Sequence, residues 1–226
     1  MTEPTAGTSG LTLRPARWLA ALLIVAAIGC FHIGRLPARE LYRLALPDPL
    51  SADSATITAT DGSPPPLAGT LGISQYVTPG VYGDPQIVFR INDNEYGSYP
   101  SREWAVPLGD QLGVVTERVL TRIALTPERA VFDPPSRRAQ TYIWRGTVRE
   151  FEEVDRGSEV RAAVRIDLRI VRAEDDSILW SGTSRLERAV PTPNMSGIVQ
   201  TLSALADEVV TDLATRARRE LSTRRP

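Results

Sequence analysis

The sequence predicts an α+β fold: an antiparallel sheet with two amphipathic helices packed on one face, giving a two-layer sandwich. Two observations carry this reading. In "VRAAVRIDLRIV", residues Val160, Ala162, Val164, Ile166, Leu168 and Ile170 fall on one face, with Arg161, Arg165, Asp167 and Arg169 on the other. Two further stretches repeat apolar residues at spacings of three and four, the mark of one-sided helices. A strand that is dry on one side needs a cover, and two such helices supply it.

In chain order, the first element is a leader. Residues 1–13 are small and polar, Arg14 and Arg17 add positive charge, and Trp18–Ile28 is an apolar run of eleven residues. That run has the length of a secretory signal core. Ala27-Ile28-Gly29-Cys30 closes it on the only cysteine of the chain. The four residues resemble a lipobox, in which the cysteine thiol receives a diacylglycerol, the signal is removed and the new amino terminus is acylated. A lipoprotein signal over residues 1–29 and lipidation of Cys30 are therefore expected. The competing reading is an uncleaved anchor over residues 18–33, sixteen residues long. A bilayer needs roughly twenty. Both readings put the remainder outside the cytoplasm. Two acyl chains anchor a protein stably where one holds it only marginally. Cys30 is thus read as a tether point.

Residues 30–66 read as the lipidated tether and a proline-rich linker that ends in "DGSPPPLAG". Within it, Tyr42-Arg43-Leu44 alternates and could pair as an edge strand. The α+β domain is expected over residues 67–226. "LAGTLGISQYV" reads as a first strand. "PQIVFRI" reads as a clearer second one, with Ile87, Phe89 and Ile91 on one face. "TPGVYGDP" is a loop rich in breakers. "NDNEYGSYPSREWAV" reads as a loop, polar and aromatic by turns, with Tyr96, Tyr99 and Trp104 as a candidate contact patch. Pro107 suits a helix start. The stripe Leu108, Leu112, Val115, Val119 and Ile123 follows, with Arg118 and Arg122 pointing away. "TYIWRGTVREFEEV" and "SILWSGTSRLERAV" flank the long strand through the turns "DRGS" and "AEDDS". Ile198, Leu202, Leu205, Val209 and Leu213 form the second helix, whose arginine-rich end "TRARRELSTRRP" is expected to fray.

Composition narrows the function. The chain has 226 residues, 42% of them apolar, and a formal net charge of −1. No strong overall field recruits nucleic acid. Every basic side chain is arginine, scattered among acids, and His32 is the only histidine. Histidine-based triads and metal clusters are nearly excluded, and no cofactor or metal is expected. Ser181, Ser184 and Ser196 lack a base, and "PGVYGDP" lacks the spacing and lysine of a phosphate loop. Glu152, Glu153, Asp155, Asp175 and Asp176 are read as solvated charges at hairpin ends. Arg161, Arg165 and Arg169 could meet phosphate or lipid head groups. A solvated sheet face accounts for them better, because Asp167 interrupts the ladder and Glu159 flanks it. No residue pattern supports an enzyme.

The whole pattern resembles the ABC-type transport auxiliary lipoproteins, which include the lipoprotein of the paraquat-inducible intermembrane transport system. The marks are Cys30, "YRLALPDP", "PQIVFRINDNEYGSYPSREWAVPL" and the closing helix. Pro85, Arg90, Tyr96, Trp104 and Pro107 stand at the pattern's positions. The long head before the signal and the "GSYPS" turn depart from it. The resemblance implies a non-enzymatic envelope lipoprotein working with an ABC transporter permease and ATPase and a mammalian-cell-entry-domain protein, in lipid transport between membranes. A homo-oligomer is compatible with it. Phe31, where aspartate would signal inner-membrane retention, points to the outer membrane, facing the periplasm. The alternative function is a structural or envelope-assembly lipoprotein without an ABC partner.

Overall fold

One long strand organises the domain. The computed structural model describes residues 38–45, 64–157 and 159–224. The leader, Cys30, the anchor alternative over residues 18–33 and linker residues 46–63 lie outside the described residues. The described residues from Arg39 onward belong to one compact unit, so Glu40–Leu44, read as linker, pack with the domain. Its elements are β1 (Glu40–Tyr42), β2 (Leu71–Ile73), β3 (Gln86–Asn92), β4 (Glu95–Trp104), α1 (Leu108–Arg122), β5 (Val131–Phe132), β6 (Tyr142–Asp155), β7 (Val160–Arg172), β8 (Ile178–Ala189) and α2 (Met195–Thr223).

β6 is the spine. Along one edge it pairs antiparallel with β7, which pairs antiparallel with β8. The other edge is shared: β2 takes Tyr142–Trp144 and β3 takes Glu153 and Val154, both parallel. β5 extends the sheet beyond β2, and β4 and then β1 extend it beyond β3. The predicted α+β class holds: the long pairings are antiparallel and both helices cover the same face. The parallel joins follow from topology, because α1 intervenes between β3 and β6. Of the expected edge strand Tyr42-Arg43-Leu44 only Tyr42 belongs to one: β1 covers Glu40–Tyr42, with Tyr42 paired to Trp104, and Leu44 is buried beyond its end.

The helices form because their apolar residues fall on one stripe. Leu108, Leu112, Val115, Val119 and Ile123 of the first stripe are all buried, as are Ile198, Leu202, Leu205, Val209 and Leu213 of the second. They meet Trp144, Val148, Phe151, Val164, Ile166, Leu168 and Ile170 in one core. Each fully buried large side chain contributes about 1.5–3 kcal/mol. The Pro107 carbonyl accepts from the amides of Asp110 and Gln111, and the Asn194 side chain caps α2 by accepting from Gly197 N at 2.9 Å. A buried polar chain ties the layers: Trp144 Nε1 donates to the Tyr76 hydroxyl at 2.9 Å, which meets Thr116 Oγ1 at 2.7 Å. Burial pushes the Tyr76 phenol up to about 12.

Three expectations need correction. The end of α2 does not fray. Ala217 and Leu221 are buried, and Arg218 donates to the Ala124 carbonyl at 2.6 Å. Arg216 and Arg224 donate to the edge carbonyls of Thr183 and Leu179. Packing along β8 therefore holds the basic turns in place. Arg118 and Arg122 do not point away from the fold; both converge on Asp207 of α2, at 2.5 and 3.0 Å. In β3, Ile91 is exposed although alternation groups it with Ile87 and Phe89, and Arg90 is buried, where it meets Glu152.

Candidate functional site

The region read as an aromatic loop is strand β4, hydrogen-bonded to β3. Strand propensity of its tyrosines and tryptophan overrides the polar residues between them. Val88 pairs with Ser98 and Gln86 with Glu103, so β4 carries extra residues between those points. The irregular "GSYPS" word contributes to this bulge. Gly97 sits where an added Cβ would run into the Phe89 ring.

The three predicted aromatic residues do not form one patch. Tyr96 is 46% exposed and pairs with Arg90. Tyr99 is half-buried: its ring lies 5.0 Å from Phe89, the Arg102 guanidinium stands 5.0 Å over it, and its hydroxyl donates to Glu153 at 2.7 Å. Trp104 is buried, edge-on to Phe151 at 5.8 Å, and its amide donates to the Pro85 carbonyl at 2.7 Å.

The carboxylates need a larger correction. Glu152 is 0% and Glu153 6% exposed, although both were expected in solvent at a turn. β6 runs on to Asp155, and β3 and β7 flank it there. A bulge between Val148 and Glu150 also switches which residues face the helices. Trp144 and Val148 face the core before it, Phe151 after it, and Glu152 is turned to the helix-free side. There it accepts from Arg90 Nε at 2.5 Å and from the Tyr82 hydroxyl. Burial raises the Glu152 carboxyl above its ordinary range, against the opposing Tyr82 and Arg90 hydrogen bonds. Burial likewise raises Glu153, with the Tyr99 hydrogen bond opposing it. Burial and the hydrogen bond to Glu152 push the Tyr82 phenol up.

The sequence signal for this pair is faint but real. Arg90 interrupts the apolar run "IVFRI", and Glu152 interrupts "FEEV". Each is a charge inside a segment that otherwise reads as buried strand, and such charges pair.

The rest of the helix-free face is an ion ladder across β6, β7 and β8. Arg165 and Arg185 are direct cross-strand partners, and Glu150 lies between them, 3.9 Å from the first and 2.9 Å from the second. Glu187 receives Arg156, Arg161 and Arg185 at 3.2, 2.8 and 2.8 Å. Burial would raise Asp167, but hydrogen bonds from Thr183 and Arg149 outweigh it and hold the carboxyl below its ordinary range. At the β2 end of this face lies a basin of about 420 Å³ that includes Val77, Arg145, Arg149, Asp167, Arg169 and Ile178. Among the described residues, no group of three or more His, Cys, Asp or Glu side chains stands ready to hold a metal, and no helix is long and apolar enough to cross a membrane.

The model of the "ABC-type transport auxiliary lipoprotein component" family matches residues 50–214. The chain belongs to this family. It is thus an auxiliary lipoprotein of a transport-related system, lipid-anchored in the cell envelope, and the family points to a non-catalytic role. A Xanthomonas campestris protein has a similar fold, with a TM-score of 0.62 at 17% identity, over 80% of this chain and 95% of that one. So does an uncharacterized protein, with a TM-score of 0.59 at 15% identity, over 79% and 98%. No curated protein matches the chain. The positions named in the resemblance lie on or next to β3, β4 and the start of α1 in this auxiliary lipoprotein. Pro85 bonds Trp104, Arg90 pairs with Tyr96, and Pro107 opens α1.

Proposed function

We propose that this auxiliary lipoprotein is a non-enzymatic docking or bridging component of an ABC and mammalian-cell-entry-type intermembrane lipid transport system. In this reading Cys30 carries the lipid, residues 1–29 are removed, and the short stretch from Cys30 to Arg39, where the compact unit begins, tethers the domain to the outer membrane, facing the periplasm. The observation that carries the docking role is the helix-free face. Its charges are largely paired among themselves, its strands are long, and Tyr96 stands in solvent on a strand fixed from below. A rigid surface with an exposed aromatic anchor suits a partner pocket. We assign the contact to Tyr96. Tyr99 and Trp104 hold β4 beneath it, through Glu153 and Phe151.

Tyr96→Ala in the full-length protein tests the assignment. Melting is expected to stay unchanged, while recovery of the permease, ATPase and mammalian-cell-entry protein from intact envelopes falls several-fold. Full recovery would move the docking surface away from Tyr96. Mass spectrometry of the mature amino terminus tests the tether: diacylated, N-acylated Cys30 is expected, and an unmodified chain beginning at Met1 or Thr2 would overturn it.

A further inference from the structure

Two like-charge pairs lie across β7, and they differ in what stands between them. Arg165 faces Arg185, and the chain's own Glu150 bridges them. Arg145 faces Arg169 in the same directly opposed way. Like charges in that position destabilise a sheet. Arg145 reaches sideways to Asp176 at 2.5 Å, but Arg169 has no hydrogen-bond or ion-pair partner among the described residues. It is exposed, and it lines the 420 Å³ basin.

The basin holds three arginines, Arg145, Arg149 and Arg169, against two carboxylates, Asp167 and Asp176. Arg149 uses Nε on Asp167 at 2.7 Å, so its terminal nitrogens remain for other acceptors. The charge left over is positive and centred on Arg169. Val77 is 59% and Ile178 55% exposed, and both line the same basin. Cationic forks beside exposed apolar side chains match a ligand with an anionic head and an apolar tail. The volume lies within the range of small-ligand sites, about 300–1,000 Å³.

We propose that this basin binds the phosphate headgroup of an anionic phospholipid, with the phosphate replacing the missing carboxylate between Arg145 and Arg169 and the glycerol end resting on Val77 or Ile178, which flank the two arginines on opposite sides. The choice of lipid as the phosphate's source rests on the transport reading above; the anion site itself does not.

The test uses the full-length lipidated protein in nonionic detergent, titrated by calorimetry with dihexanoylphosphatidylglycerol, with dihexanoylglycerol and with inorganic phosphate. Saturable binding of the phosphatidylglycerol is expected, at least about tenfold tighter than either control, each of which lacks one half of the recognised chemistry. Arg169→Gln should weaken it by at least about tenfold, the loss of a charge-assisted hydrogen bond. Arg165→Gln, at the pair already bridged by Glu150, should leave it unchanged. Val77→Ser with Ile178→Ser should weaken the phospholipid and not the phosphate. Melting of each variant is measured alongside; if Arg169→Gln fails to fold, Arg145→Gln takes its place. No saturable binding, or full affinity in the Arg169 variant, overturns the site. Phosphate binding as tight as phosphatidylglycerol overturns the lipid as ligand, and dihexanoylglycerol binding as tight overturns the anion. Partner recovery from envelopes, measured with Arg169→Gln and with Tyr96→Ala, separates this inference from the docking role. Each variant is expected to lose one property and keep the other.

Discussion

On β7, the even-numbered side chains from Ala162 to Ile170 face the helices and are at most 1% exposed. The odd-numbered Arg161, Arg165, Asp167 and Arg169 face the other way, into ion pairs or water. The same backbone therefore serves two physical regimes. On the dry face stability is spread over many contacts, each replaceable by another apolar group of similar volume. On the wet face most pairs are exposed and contribute little, but one pair, Arg90 with Glu152, is buried, and there the energetics is concentrated. Where water is excluded, the pairing of a charge matters more than the number of charges.

Breaking that buried pair should give the largest effect. Arg90→Ala leaves Glu152 buried without its cation and should cost about 3–5 kcal/mol, read by denaturant unfolding. A loss under about 1 kcal/mol would place the pair in the exposed class instead. Next comes the dry face. Leu205→Ala removes a side chain that is 1% exposed and should cost roughly 2–5 kcal/mol. A cost near zero would mean that α2 does not hold the sheet by this stripe.

A smaller effect distinguishes the regimes by pH. Burial raises Glu153 above its ordinary value, so the folded state holds its proton more tightly than the unfolded chain. That contribution to stability is fully present below the unfolded value and is lost as pH rises through the raised one. Glu153→Gln keeps an acceptor for Tyr99 and removes the titration. Its stability profile should be flatter from about pH 4.5 upward than that of the parent protein. An unchanged slope would show that other groups set it. The smallest effect belongs to an exposed pair: Arg188, which meets Glu208 at 2.7 Å, should cost no more than about 1 kcal/mol on replacement by Gln, and less in high salt.

How much of this was legible in the sequence depended on range. The two helix stripes and the β7 alternation could be read directly, since a period of 3.6 or 2 is a local property and every residue named on them is buried as read, save half-buried Val160. By itself the β4 segment reads as a loop because its polar residues are interspersed among its aromatic ones, and only pairing with β3 and β1 makes it a strand. Glu152 and Glu153 read as solvated because acidic residues near a hairpin end usually reach water; β3 flanks them here from more than 60 residues earlier in the chain. Of the candidate trio, only the residue types were visible. Which ring faces solvent and which closes the core was not.

The sequence by itself determined the class of fold, the two amphipathic helices, the one-sided central strand and membership in the auxiliary lipoprotein family. Each rests on periodicity or on the order of words along the chain. Tertiary structure alone decided that Arg90 meets Glu152, that Trp104 is internal while Tyr96 is not, and that Arg145 faces Arg169 without a bridging carboxylate. These depend on bulges in β3, β4 and β6, where an odd number of extra residues reverses the faces that follow. A bulge leaves almost no trace in composition, because it is fixed by the strand on the other side.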